Sequence, residues 1–159
     1  AASDVYKRQE VCYNISMEIL IHIEKKKLDT EYAKAVAEYV KRLSAFCRVR
    51  CLYYKDLSKL TMPDSSACFR IIPGIDTISS EAFASKIEQL GLSGYSRIEF
   101  VVAQQNRISD TNETTSSDIG GLPSFSLSGF TMSTDLTTVV LTEQLYRAYT
   151  ILNHITYHK

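Results

Sequence analysis

The chain closes on EQLYRAYTILNHITYHK, residues 143 to 159, and much of its reactive chemistry is gathered there. Arg147 lies on the last helical stretch, and Tyr157, His158 and Lys159 follow it; two of the three histidines fall in the final six residues. Chain ends are ordinarily polar and frayed, so an aromatic ring, an imidazole and cations at the terminus need a reason. By residue type, an arginine can hold a phosphate or a base edge, a phenol ring can stack on a base and an imidazole can take a proton. The plainer readings are a surface pair between Arg147 and Glu143, a tyrosine packed against another subunit, and a solvated terminal histidine. Elsewhere no Ser/His/Asp triad, paired-carboxylate motif or phosphate-binding glycine loop stands out. The cysteines, at 12, 47, 51 and 68, show no CxxC spacing, so free thiols in a reducing cytoplasm are expected rather than a metal site.

The elements that would position these groups alternate. MEILIHI (17 to 23), with β-branched Ile19, Ile21 and Ile23, reads as a buried strand. Asp29 or Thr30 can cap a helix with Tyr32, Val36, Tyr39, Val40, Leu43, Phe46 and Cys47 at helical spacing. VRCLYY (49 to 54) is a second strand, 55 to 66 a polar loop, and CFRII (68 to 72) a third strand ended by Pro73-Gly74. Ser79 caps the next helix, with Ile78 and Phe83 as a hydrophobic staple, a stripe of Phe83, Ile87 and Leu90, and Gly91 as its stop. RIEFVVA (97 to 103) is a fourth strand and FSLS (125 to 128) a short fifth; the last helix spans Thr134 to Leu152. Strand and helix in alternation predict an α/β domain with a mainly parallel sheet. Ligands of such sheets sit beyond the carboxyl ends of the strands, here the loops after Ile72, Ala103 and Ser128.

Bulk properties agree with one globular domain. A chain of 159 residues can bury a core, and no apolar run approaches the roughly 18 residues of a membrane span. The net charge of zero argues against nucleic-acid binding by total charge. It conceals a basic stripe of Lys25, Lys26, Lys27, Lys34, Lys41, Arg42, Arg48 and Arg50, read for the most part as a solvated helix face. Residues 1 to 16 have no apolar signal core. DVYKRQ within them resembles a translated transposon end used to fragment DNA. An artefactual or disordered extension is expected there, with the domain spanning 17 to 159.

Four blocks resemble the RlmH family of SPOUT-class methyltransferases. LTEQLYRAYTILNHITYHK is similar to that family's LxEQLYRAY block and terminal PYHK or PYHR, and AEYVKRLSAFC (37 to 47) to its EYxKRLSxYC helix. ISSEAFASKIEQL (78 to 90) is similar to LSSEEFAxxIEEL, and FSLSGFTMS (125 to 133) to LSLSKMTLP. The resemblance implies a knotted α/β domain acting as a cytoplasmic homodimer, without metal or membrane. It implies methyl transfer from S-adenosylmethionine to N3 of a pseudouridine in 23S ribosomal RNA on the assembled ribosome. Carried over by position, it implies a cofactor site at Ile71, Ala103 or Gln104, and Ser126, Leu127, Ser128, Gly129, Phe130 and Thr131. Arg147, Tyr157 and His158 would stand near the target base, as one wall of a site shared between subunits.

The departures fall on the cofactor side. The family's paired glycines after the fourth strand are Ala103 and Gln104 in FVVAQQNRI, where Gln104 adds a side chain to the expected cofactor path. Its Pro-His is Ser133-Thr134, its LDxxGK turn is IIPGID (71 to 76), and the segment between the second and third strands is short by about one helix. SDTNETTSSDIGGLPS, after Ile108, is longer and more polar than its counterpart. Two readings follow: a divergent methyltransferase, or a non-catalytic relative that dimerises or binds ribosomal RNA without effective cofactor binding.

Overall fold

The computed structural model describes residues 17–104 and 118–157; the N-terminal extension, the loop residues 105–117 and the tail residues His158 and Lys159 lie outside them. Five parallel strands, β1 (Glu18–Ile23), β2 (Arg48–Tyr53), β3 (Ala67–Ile71), β4 (Arg97–Val102) and β5 (Ser124–Phe125), form one sheet in the order β2-β1-β4-β3-β5. Three helices join them: α1 (Thr30–Leu43), α2 (Ser80–Leu92) and α3 (Thr134–Leu152). A single 3₁₀ turn, Asp118–Gly121, precedes β5.

Alternation along the strands decides what each face meets. Ile19, Ile21 and Ile23 of β1, Ile98, Phe100 and Val102 of β4, and Phe69 and Ile71 of β3 point into one core. The helices complete it with Val36 and Leu43, Phe83 and Ile87, and Leu141, Leu145, Ala148 and Tyr149. α3 packs against both α1 and α2. On the opposite face Val101 joins Leu57 and Ile119 in a smaller cluster under the 55 to 66 loop. His22 and Glu99 are buried on that face too, Nε2 to Oε2 at 2.7 Å, with the Tyr54 hydroxyl 3.0 Å from Nδ1.

α3 is rich in threonine, a poor helix former. Four of its buried hydroxyls are satisfied by nearby carbonyls: Thr137 donates to Ser133 O (2.9 Å), Thr138 to Thr134 O (2.8 Å), Thr142 to Thr138 O (2.9 Å) and Thr150 to Arg147 O (2.7 Å). A helix of small, internally bonded side chains can therefore pass through the core without orphaned polar groups.

Local details correct the sequence reading in three places. Gly91 does not stop α2, which continues through Leu92; the turn comes at Gly94, whose φ of 91° lies in the left-handed region. β5 ends at Phe125, because Ser126 leaves the strand to make an isolated bridge with Thr77. Asp29 precedes α1 without a side-chain cap, since its carboxylate takes the Lys25 ammonium instead, at 3.1 Å. The staple and cap at Ser79 stand as expected: Ser79 accepts from Ala82 N at 3.1 Å, and Phe83 is buried.

Candidate functional site

The loops after β3 and β5 are knitted together at the carboxyl edge of the sheet. Ile72 N donates to Phe125 O (3.0 Å), Gly74 N to Ser128 O (3.1 Å) and Ile78 N to Ser126 O (3.0 Å). The Ser126 hydroxyl lies 3.0 Å from Gly74 O and 3.1 Å from Ser128 O. The approach is close enough that a β-carbon on Gly74 would stand 3.3 Å from the Ser126 side chain. Between the loops runs a narrow apolar slot lined by Ile71, Ile72, Pro73, Leu127, Phe130 and Met132, with Ser128 and Thr137 as its polar members.

Met132 is shared with a wider polar groove of about 370 Å³, lined also by Lys25, Gln104, Thr131, Ser133, Thr134 and Asp135. Lys25, just past β1, reaches the first turn of α3, with Nζ to Asp135 Oδ2 at 2.5 Å, and Asp135 Oδ1 accepts the Asp29 N–H at 2.8 Å. Burial works to raise the Asp135 carboxyl, but the Lys25 ammonium and the Asp29 N–H outweigh it and hold the group below the usual range. Ser133, where the family has proline, caps α3 by accepting from Leu136 N at 3.2 Å.

The structure brings Ile71, Leu127, Ser128 and Phe130 together around the slot, with Ser126 and Gly129 in the loop that forms it. Thr131 and Gln104 line the adjoining groove. Gln104 is folded onto the end of β1: its N–H donates to Glu24 Oε2 (2.9 Å) and its carboxamide to Glu24 O (3.3 Å). Ala103 packs with the opposite-face cluster of Val101 and Ile119.

The tail forms a second cluster. Arg147 pairs with Glu143 at 3.0 Å, the surface pair expected from their spacing, and its guanidinium lies 5.1 Å from the Tyr157 ring centre. Tyr157 also meets Tyr146 edge to face at 5.1 Å and the Tyr39 hydroxyl at 3.4 Å. Burial, the Tyr39 hydroxyl and the Glu143 carboxylate all push the Tyr157 phenol upward. It therefore stays protonated at neutral pH and offers a ring and a hydroxyl, not a base. Arg147 is thirteen residues along α3 from Thr134, about 20 Å at a rise of about 1.5 Å per residue, and ten from Thr137, which lines the slot, about 15 Å, so Arg147 and the Tyr157 ring beside it stand apart from the slot of the same chain.

Sequence reasoning missed Asp135, and met Lys25 only as part of the basic stripe. Their signal was weak, because an acidic residue in the first turn of a helix is ordinary.

Comparison with known proteins defines the class: residues 17–158 match the family model described as predicted SPOUT methyltransferase. Ribosomal RNA large subunit methyltransferase H 1 of Thermoanaerobacter sp. (strain X514) is 36% identical, over 84% of this chain and 92% of that protein. Ribosomal RNA large subunit methyltransferase H of Exiguobacterium sp. (strain ATCC BAA-1283 / AT1b) is 33% identical, and that of Limosilactobacillus reuteri (strain DSM 20016) 32%, each over 84% of this chain and 94% of the relative. The chain belongs to the SPOUT methyltransferases, in their RlmH branch.

Proposed function

We propose that the protein transfers a methyl group from S-adenosylmethionine to N3 of a pseudouridine in 23S ribosomal RNA, on the assembled ribosome, as a cytoplasmic homodimer. The family and the names of its relatives support the reaction class. The observation that carries it is the slot between the β3 and β5 loops, opening into a polar groove at Met132. Ile71, Pro73, Leu127 and Phe130 would give apolar walls to a flat purine; the slot holds only about 10 Å³, so these walls must part to admit it. Lys25, Gln104 and Ser133 line the groove on the amino-acid side, where Lys25 must exchange Asp135, and Gln104 its bond to Glu24, for the ligand.

When bound, S-adenosylmethionine supplies an electrophilic methyl on a sulfonium, so alignment of the acceptor does much of the work. The chain's part is to hold the base and to let its N3 proton leave. Arg147 can exchange Glu143 for a phosphate or base edge at small cost, since an i,i+4 helix pair contributes only about 0.2–0.5 kcal/mol. Tyr157 supplies a stacking face, and His158 is the candidate proton acceptor. The separation of about 15 to 20 Å along α3 between the tail cluster and the loops supports a site completed by a second copy.

A non-catalytic RNA-binding relative is the second reading, favoured by Ala103 and Gln104 in place of paired glycines. Among the described residues no helix is long and apolar enough to cross a membrane. The test is transfer of labelled methyl to ribosomes lacking the modification, followed by mass mapping of the base. One methyl per large subunit, on a pseudouridine, is expected; cofactor-independent ribosome binding with no transfer would select the second reading.

A further inference from the structure

Six of the described basic side chains, Arg147 among them, stand in ion pairs. Lys34 is paired with Glu31 at 2.9 Å, Arg42 with Glu38 at 2.8 Å, and Arg50 and Arg97 with Glu18 at 2.8 and 2.7 Å. Lys25 is held by Asp135 and Asp29. Lys26, Lys27 and Lys55 differ. With Lys25, Asp29 and Gln104 they line one open groove of about 370 Å³, and among the described residues none of the three has an ion-pair partner. Lys25 and Gln104 line both this groove and the one that reaches Met132, so the two adjoin. Lys41, Arg48, Lys59, Arg70 and Lys86 are unpaired too among the described residues, but none of them lines this groove; in a chain of zero net charge, three unpaired lysines thus share one open groove beside the candidate methyl-transfer site.

We propose that this groove grips the sugar-phosphate backbone of the RNA strand flanking the target base, through Lys26, Lys27 and Lys55; the proposal rests on the methyltransferase reading. Lysine suits the task. Its ammonium is a compact charge on a flexible stem, which fits phosphates without reading sequence. Each phosphate neutralised releases counterions and steepens the salt dependence, by about 0.7 in slope for single strands and about 0.9 for duplex. Local charge of this kind gives a neutral protein a nucleic-acid grip that its total charge does not.

The test is the triple variant Lys26→Gln, Lys27→Gln, Lys55→Gln, assayed on ribosomes lacking the modification between about 50 and 200 mM salt. KM should rise at least tenfold, and the log–log salt slope should shrink by about 2 to 3 units. The S-adenosylmethionine Kd should not move. The corresponding triple Lys→Arg variant should restore KM, and Lys34→Gln, on a paired lysine, should change nothing. An unchanged KM and slope in the triple Gln variant would overturn the groove while leaving the methyltransferase reading intact, as would an equal effect from Lys34→Gln or failure of the arginine rescue. If the wild type binds no cofactor and transfers no methyl, the parent reading fails, and cosedimentation with ribosomes decides the groove: lysine-dependent, salt-sensitive binding supports it, and none overturns it.

Discussion

Ser126 joins the two loops of the slot through one hydroxyl, within hydrogen-bonding distance of Gly74 O and Ser128 O, while its carbonyl accepts from Ile78 N. Ser126→Ala removes the hydroxyl and keeps the carbonyl. It should cost about 1 kcal/mol in denaturant unfolding and weaken S-adenosylmethionine binding several-fold by calorimetry, because the slot walls lose their tie. The tail residues should respond in the opposite sense. Arg147→Ala removes an i,i+4 helix pair and a ring contact, so unfolding should shift by about 1 kcal/mol or less, while methyl transfer should fall by on the order of a hundredfold. Deleting residues 157 to 159 also strips the Tyr157 ring from Tyr146, which adds about 1 kcal/mol of destabilisation. Equal loss of fold and activity in Arg147→Ala would make the cluster structural. Burial pushes the described thiols up, Cys47 to about 12 and Cys51 and Cys68 to about 11, so these three stay protonated at neutral pH.

At the scale of elements, the start of α3 depends on a charge. Asp135 is buried, accepts the Asp29 N–H and takes the Lys25 ammonium. Its lowered native pKa contributes stability that is present above the ordinary aspartate value of about 3.9 and lost as pH falls through the native one. Lys25 is raised chiefly by its hydrogen bond to Asp135, so its share is present below about 10.4 and lost as pH rises through its native value. Asp135→Asn should therefore cost about 1–3 kcal/mol at neutral pH and flatten both limbs of a stability profile measured by thermal unfolding from pH 3 to 11. How far such elements were legible depends on the range of the signal. Ile19, Ile21 and Ile23 announce β1 by β-branching, and Ser79 with the Phe83, Ile87 and Leu90 stripe announces α2. Both are local. The His22–Glu99 pair spans 77 residues and exists only because β1 and β4 lie side by side with His22 opposite Val101. No window along the chain contains that register. The stop expected at Gly91 falls instead at Gly94, where the backbone turns left-handed; a β-carbon at Gly91 would make only an ordinary contact with Met17, at 3.6 Å, so nothing about Gly91 itself ends the helix.

For the whole molecule, the sheet order β2-β1-β4-β3-β5 sets the ends of β3, β4 and β5 beside one another, which is why three loops far apart in sequence share one edge. It leaves the tail cluster at the other end of α3. Tyr149 and Tyr146 are used within the chain: Tyr149 stacks on Phe46 at 5.8 Å and is buried, and Tyr146 packs on Tyr39 and Phe46. Exposed Leu136, Ile151 and Ile155 on or beside α3 remain for association, and sedimentation at micromolar concentration should find a dimer; a folded monomer throughout would remove the shared site. The central claim, a working methyltransferase, is tested most directly by calorimetry of the full chain with S-adenosylmethionine and S-adenosylhomocysteine. The account predicts saturable binding of both, abolished or weakened by Ser126→Ala and untouched by Arg147→Ala. No heat of binding for either ligand, with the protein folded, would contradict it.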